Sequence, residues 1–369
     1  MKKVFSVLAL TLLLLLQTGM ETYALSAQSA VLYDPLTDTV ITGIQEDVRR
    51  GMASTTKIMT ALVSLDLYTP EQEVEIDPSW CGIEGSSMYL KPGEKLTVSD
   101  LLYGLMLSSG NDAAVALSCI YTGDSADFVA KMNEKALELG LSNTHFDNPN
   151  GLDGDTHYST ASDMARLAAA AMENEQFREI VGTKSIKIGE RYLSNHNKLL
   201  NLLEGAEGIK TGFTKACGRC LVSSASRYGR RLIAVTLNAP DDWNDHISLL
   251  NSGFSSMDEQ QILTAGEVGS VTVAAGEMCR TIPVYIEEDY SFPLRAEETP
   301  QVSLCGPRIV YGPVDGGEQY GTLRVTLGDT ILTEVPAYYA EGVAVTVRER
   351  SIGEKVAQWF ADLWEMLLG

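Results

Sequence analysis

Residues 53–62 read ASTTKIMTAL, and the reading of the fold starts there. Ile58, Leu62 and Leu65 recur at i, i+4 and i+7, the spacing of a helix face turned toward a core. Ser54 stands near the start of that helix. Lys57 is the anomaly, because a buried ammonium is costly unless it is paired or put to use. Residues three apart on a helix lie one above the other, so Lys57 can reach the Ser54 hydroxyl. Serine is a weak nucleophile until a base takes its proton. Lysine can be that base only when neutral, and burial with a second cation nearby lowers its pKa. The helix start also offers unpaired backbone N–H groups to a developing oxyanion.

Two distant motifs complete the set. Ser109-Gly110-Asn111 interrupts a helical pattern, between "DLLYGLML" and "AAVALSCIY", and so places a hydroxyl and an amide on a loop. The hydroxyl can relay a proton, and the amide can hold a substrate carbonyl. Lys210-Thr211-Gly212 lies in the strand-like "GIKTGF", where Lys210, Thr211 and Thr214 offer a charge and hydroxyls to a carboxylate. Gly212 has no side chain, so a ligand backbone can come close. Lys210 is also the candidate second cation for Lys57. A chain of this length contains roughly one S-x-x-K by chance, and K-T-G arises in about one such chain in ten. Ser54 is the only serine here with lysine at +3, and the three motifs stand in order.

With these motifs on the page, the chain resembles the low-molecular-mass penicillin-binding proteins, serine-type D-alanyl-D-alanine carboxypeptidases. "GSSMYLKPGEKLTVSDLLYGLMLSSGNDAA", "THFDNPNGLD" and "NAPDDWNDH" add to the likeness, which covers roughly residues 30 to 255. The resemblance implies an α+β fold: a serine DD-peptidase/β-lactamase-like domain, with an antiparallel sheet flanked by helices, then a small all-β domain and a C-terminal amphipathic helix. It implies that Ser54 is acylated by the penultimate D-alanine of a peptidoglycan stem peptide ending in D-Ala-D-Ala. β-Lactam antibiotics then acylate the same serine. Lys57 and Ser109 carry the catalytic roles; Asn111, Lys210, Thr211, Gly212, Phe213 and Thr214 bind substrate, and the N–H groups of Ser54 and Phe213 form the oxyanion hole. No metal or cofactor is expected. Some members have histidine where Phe213 stands, and many have threonine at His196.

The remaining residues set limits. The first 24 residues, two lysines and an apolar run from Val4 to Leu16, read as a signal peptide. The protein is then exported to the cell envelope, either at the outer face of the cytoplasmic membrane or secreted. A catalytic domain is expected over 25–258, a β-domain over 262–347, and a helix over 351–369. In that helix Val356, Trp359, Phe360, Leu363 and Leu367 form an apolar stripe suited to a membrane surface. The alternative is a helix docked on the β-domain. A formal charge of −21 argues against nucleic acid as a partner. "CGRC" at 217–220 has redox spacing but sits in a strand-turn-strand region rather than at a helix start, and its purpose is open. Pairing of Cys279 with Cys305 is likewise open.

Rival chemistries leave weaker traces. A β-lactamase would need a deacylating glutamate, and the nearest match, Glu138, lies within a helical pattern. None of His145, His157, His196 and His246 has the acidic neighbour at +1 or +3 expected of a zinc peptidase. G-x-S-x-G is absent. A penicillin sensor that is acylated without turnover would share all three motifs.

Overall fold

The computed structural model describes residues 25–276, 278–346 and 351–368; the expected signal peptide, 1–24, lies outside them. The chain divides into two units, one ending at Ser255 and the next beginning at Ser256.

The first unit is built on a five-stranded antiparallel sheet. Strands β1 (Ser29–Asp34) and β2 (Thr39–Ile44) form a hairpin across a short turn. Two small hairpins, β3–β4 (Glu73–Glu75, Lys95–Thr97) and β5–β6 (Ser185–Ile188, Arg191–Ser194), stand apart from that sheet. Strands β7 (Ala206–Thr214), β8 (Gly218–Arg227) and β9 (Arg230–Leu237) complete it in the order β2-β1-β9-β8-β7. The central strands are covered on both faces, so "CLVSSA" and "LIAVTL" are buried almost without interruption instead of alternating. Strand β7 is an edge, and every second N–H and C=O along it has no sheet partner.

Helix α1 (Lys57–Leu67) packs against helices α2 (Val98–Leu107), α3 (Asn111–Cys119), α4 (Ser125–Glu138) and α5 (Ala161–Glu173). Its first eight residues are all buried, so it is enclosed on every side instead of amphipathic. Burying Ile58, Met59, Leu62 and Val63 contributes roughly 1.5–3 kcal/mol each. Thr97 closes a capping box with Asp100 at the start of α2. Helices α6 (Glu175–Gly182), α7 (Leu199–Leu202) and α8 (Asp242–Ser255) follow.

The second unit is mostly strand. Strand β10 (Met257–Leu263) pairs with β13 (Tyr290–Arg295). A six-stranded sheet has β11 (Gly266–Ala275), β12 (Met278–Ile286), β14 (Gln301–Cys305), β15 (Ile309–Tyr311), β16 (Gln319–Leu327) and β17 (Thr330–Tyr339) in the order β14-β16-β17-β12-β11-β15. Val273, Val284, Val325 and Ala337 form the centre of its core. The residues between the two expected domains, 259–261, are the middle of β10. Its polar "DEQQ" is exposed, so no alternation marks it. Helix α9 (Ile352–Leu368) ends the described chain. All six cysteines are free, Cys279 and Cys305 included.

Candidate active site

Ser54 does not lie inside α1. Residues Ala53–Thr56 form a 3₁₀ turn in front of it, and the α-helix starts at Lys57. The turn is held tightly. Thr55 Oγ1 donates to the Met52 carbonyl (2.6 Å) and Thr56 Oγ1 to that of Ala53 (2.8 Å). Ala53 has a positive φ of 49°, and Gly151 faces it so closely that a β-carbon there would stand 2.1 Å from the Ala53 oxygen. Behind the turn His157 is buried. Its Nδ1 accepts from the Asp147 N–H (3.0 Å), so Nε2 carries the proton and donates to Thr56 Oγ1 (2.7 Å). Burial lowers the His157 pKa to about 4, which keeps the ring neutral.

Lys57 is fully buried, and its Nζ has three neighbours: Asn111 Oδ1 (2.7 Å), the Asn150 carbonyl oxygen and Ser54 Oγ (3.0 Å). A neutral amine has two hydrogens and one lone pair. The two carbonyl oxygens can only accept, so they take both hydrogens, and the lone pair is left facing the Ser54 hydroxyl. Burial first, then the charge of Lys210, holds the Lys57 pKa well below its ordinary value, with Asp112 opposing.

The S-x-N segment is anchored from behind. Asp112 accepts from the Met88 and Leu90 N–H groups, 3.0 Å each, and from Ser87 Oγ (2.6 Å). Ser109 sits at the break with φ 58° and faces the cleft. Asn111 is the first residue of α3 and not its cap. Its Oδ1 accepts from Lys57 and its Nδ2 donates to the Glu84 carbonyl, so both ends of the amide are engaged within the protein.

Strand β7 lies against the Ser54 turn. A β-carbon on Gly212 would stand 3.1 Å from the Ser54 nitrogen and 3.2 Å from the Met52 oxygen. A side chain there would press against the protein's own turn. A bulge between Ala206 and Gly208, followed by Ile209 at φ 90°, sets the direction of Lys210. Positive φ is rare for a β-branched residue, and such strain gathers at functional sites. Lys210 is buried, its Nζ donates to the Thr211 carbonyl (2.9 Å), and burial lowers its pKa to about 7.

Ser54, Ser109, Thr211, Gly212 and Phe213 line one open cavity of about 600 Å³. Lys57, Asn111 and Lys210 are buried behind its wall. Thr214 does not line it: its Oγ1 donates to Asp153 (2.8 Å) and accepts from the Cys217 N–H (3.0 Å). The cavity is also lined by Ser86, Asn195, His196, Lys198, Arg219, Asp242 and Trp243. Sequence reasoning missed the Asn150 carbonyl, His157 and Arg219. The first is a backbone atom; Arg219 stands within "CGRC", and His157 lies four residues past "THFDNPNGLD", where it had been weighed only as a zinc ligand.

A sheet with a buried helix against it, and a serine, lysine and K-T-G strand around one cleft, define a serine-peptidase architecture. The sequence pattern of the D-alanyl-D-alanine carboxypeptidase family, Peptidase_S11, matches residues 17–241. The D-alanyl-D-alanine carboxypeptidase DacF of Bacillus subtilis is 31% identical over 96% of this chain and 99% of its own length. DacD of Salmonella typhimurium is 32% identical over 87% of each. Among solved structures, penicillin-binding protein 5 of Haemophilus influenzae covers 87% of this chain at 28% identity and a TM-score of 0.63, with 98% of its own chain matched. A Streptomyces K15 DD-transpeptidase mutant covers 63% at 35% identity and a TM-score of 0.61, with 99% matched. The chain belongs to the D-alanyl-D-alanine carboxypeptidase family of serine peptidases.

Proposed function

We propose that Ser54 is the nucleophile and Lys57 its base in removing the terminal D-alanine from peptidoglycan stem peptides. The supporting observation is the Lys57 amine, with two carbonyl acceptors and the Ser54 hydroxyl around it. Ser54 Oγ attacks the carbonyl of the penultimate D-alanine while its proton passes to Lys57 Nζ. The N–H groups of Ser54 and Phe213 receive the negative charge on the carbonyl oxygen. The C–N bond then breaks, and Lys57, through the Ser109 hydroxyl, returns the proton to the leaving amine. Water next attacks the Ser54 ester, giving up a proton to Lys57, which passes it to the departing Oγ. The unpaired edge of β7, with Thr211 and Gly212, receives the substrate as an added strand. Asn111 serves mainly by orienting Lys57, and Lys210 by keeping it neutral. Thr214 is the weakest member of the binding set, because its hydroxyl is used elsewhere.

β-Lactams acylate the same hydroxyl, and their ester is long-lived. Among the described residues lining the cavity, the carboxylate is Asp242, and Arg219 occupies it; Glu138 pairs instead with Lys135. Neither is placed as a fast deacylating base.

An exported location is supported by the N-terminal stretch read as a signal peptide and by the substrate's place in the cell wall. The side chains of Val356, Trp359, Phe360 and Leu367 on α9 are exposed, an apolar surface suited to lying in a membrane interface. Among the described residues no helix is long and apolar enough to cross a membrane. Deleting 351–369 should release the protein from the membrane fraction.

The decisive experiment incubates the protein and a Ser54→Ala variant with a fluorescent penicillin and with a D-Ala-D-Ala tripeptide. Covalent label and free D-alanine are expected from the wild type alone. Label without D-alanine would replace the enzyme by a sensor, and rapid penicillin hydrolysis by a lactamase.

A further inference from the structure

We infer that Arg219, fixed by Asp242 and Trp243, receives the terminal carboxylate of the scissile peptide. The inference rests on the carboxypeptidase reading above and names the group that recognises the chain end. An enzyme that cuts one residue from a free C-terminus needs a lasting positive charge in reach of that carboxylate.

The cleft offers few such charges. Lys210 is 1% exposed and spends its hydrogen bond on the Thr211 carbonyl. With a pKa of about 7 it is only partly charged at neutral pH. His196 is held toward its neutral form by burial and by Lys210. Lys198 is exposed, with no charged partner among the described residues, and its flexible stem fixes no direction. Arg219 differs on each point. Its side chain is 41% exposed, while that of its partner Asp242 is 2% exposed. Nε and Nη2 both donate to Asp242 Oδ1, at 3.0 and 2.8 Å, and the guanidinium carbon stands 5.6 Å from the centre of the Trp243 ring. That arrangement holds one side of the planar fork and leaves the Nη1 hydrogens without an acceptor among the described residues. A guanidinium keeps its charge at any pH of interest and matches a carboxylate in shape.

The position is also right. Across the β7–β8 pair Arg219 stands opposite Phe213, the residue after Gly212, and Gly212 abuts the Ser54 turn. Opposed strand residues are about 5 Å apart, so the guanidinium lies on the strand next to the one receiving the substrate. One residue of extended peptide, about 3.5 Å, separates the scissile bond from the carboxylate. The arginine of "CGRC" thereby acquires a purpose that redox spacing did not supply.

The test compares an acyl-D-Ala-D-Ala peptide with the same peptide ending in a carboxamide. For Arg219→Gln, kcat/KM on the free acid should fall roughly 10- to 100-fold, the worth of a charge-assisted hydrogen bond. On the carboxamide it should stay within about threefold. Arg219→Lys should recover part of the preference, and Asp242→Asn should lose part of it. The same preference should appear in calorimetric binding to Ser54→Ala protein, with and without Arg219→Gln, where no turnover is needed. Equal losses on both peptides, or none on either, would overturn the assignment. Failure of the wild type to label with penicillin would sink the serine-enzyme reading instead, and the binding comparison would still decide on Arg219.

Discussion

Arg230 and Lys57 are two of the cationic side chains buried in the first unit, and their surroundings separate structure from chemistry. Arg230, on β9, faces Asp34 at the end of β1; both side chains are wholly inaccessible, with Nε 3.1 Å from Oδ2. Its partner is an anion, so the charge stays. Lys57 is equally buried, but its partners are two neutral carbonyls and a hydroxyl, and of the charges acting on it the cation Lys210 outweighs Asp112. Its pKa is therefore held well below the ordinary value, the condition for the base role proposed for it. Burial alone does not make a lysine reactive; burial among neutral acceptors does.

The largest effect should come from making the second site resemble the first. Lys57→Arg keeps N–H donors for Asn111 and Asn150 but cannot give up its proton. Acylation of Ser54 by penicillin should slow about 10²- to 10⁴-fold, the usual worth of a positioned base. Stopped-flow labelling of protein shown to be folded by circular dichroism measures it, and a loss under tenfold would make Lys57 as structural as Arg230. The converse change, Asp34→Asn, removes the buried carboxylate charge facing Arg230 and should cost about 3–5 kcal/mol in urea unfolding. The labelling rate of the folded protein should not change.

The same contrast explains what was legible in the sequence. Ser54, Lys57 and the K-T-G strand could be read because side-chain spacing on a helix or strand fixes who meets whom. Helix α6 and its buried Phe177, Ile180 and Val181 carry the same helical spacing and went unread only because "EQFREIVG" is short. Strand β10 was not legible, since four exposed polar residues leave no period. Most of the support around Lys57 is of another kind. The Asn150 carbonyl, the positive φ at Ala53 and Ile209, and the approach of Gly212 to Ser54 are backbone facts. No residue type announces them; they depend on which loop lies against which turn. Gly212 lines the cavity, as its expected use requires, and also lies close against the Ser54 turn, which no residue type announces.

Lys210 tests how the two cations divide the work. Burial is the larger cause of the lowered Lys57 pKa, and the Lys210 charge the second. Acylation needs neutral Lys57, so its rate should rise with pH through that pKa. Lys210→Met removes the repulsion and should move the midpoint of the rise to higher pH, by less than burial alone contributes. Stability supplies an independent sign. Folded Lys210 titrates near 7 and the unfolded residue near 10.5. Between those values the unfolded chain holds a proton that the folded one lacks, so stability should climb as pH rises. Lys210→Met should flatten that climb, as urea midpoints across pH 7 to 10 would reveal.

The smallest effect is expected at Thr214, and it bears on where the binding strand ends. Motif reasoning extends the carboxylate site through this residue, whereas its hydroxyl joins Asp153 to the Cys217 N–H at the β7–β8 turn. Replacing it with valine keeps the shape and removes two hydrogen bonds that are partly open to solvent, a loss of about 1 kcal/mol. The tripeptide KM should stay within about twofold. A tenfold rise in KM with unchanged stability would instead mean that the hydroxyl leaves Asp153 when substrate binds. Thr214 would then share the carboxylate with Arg219, and the recognition surface would extend one residue farther along the edge of β7.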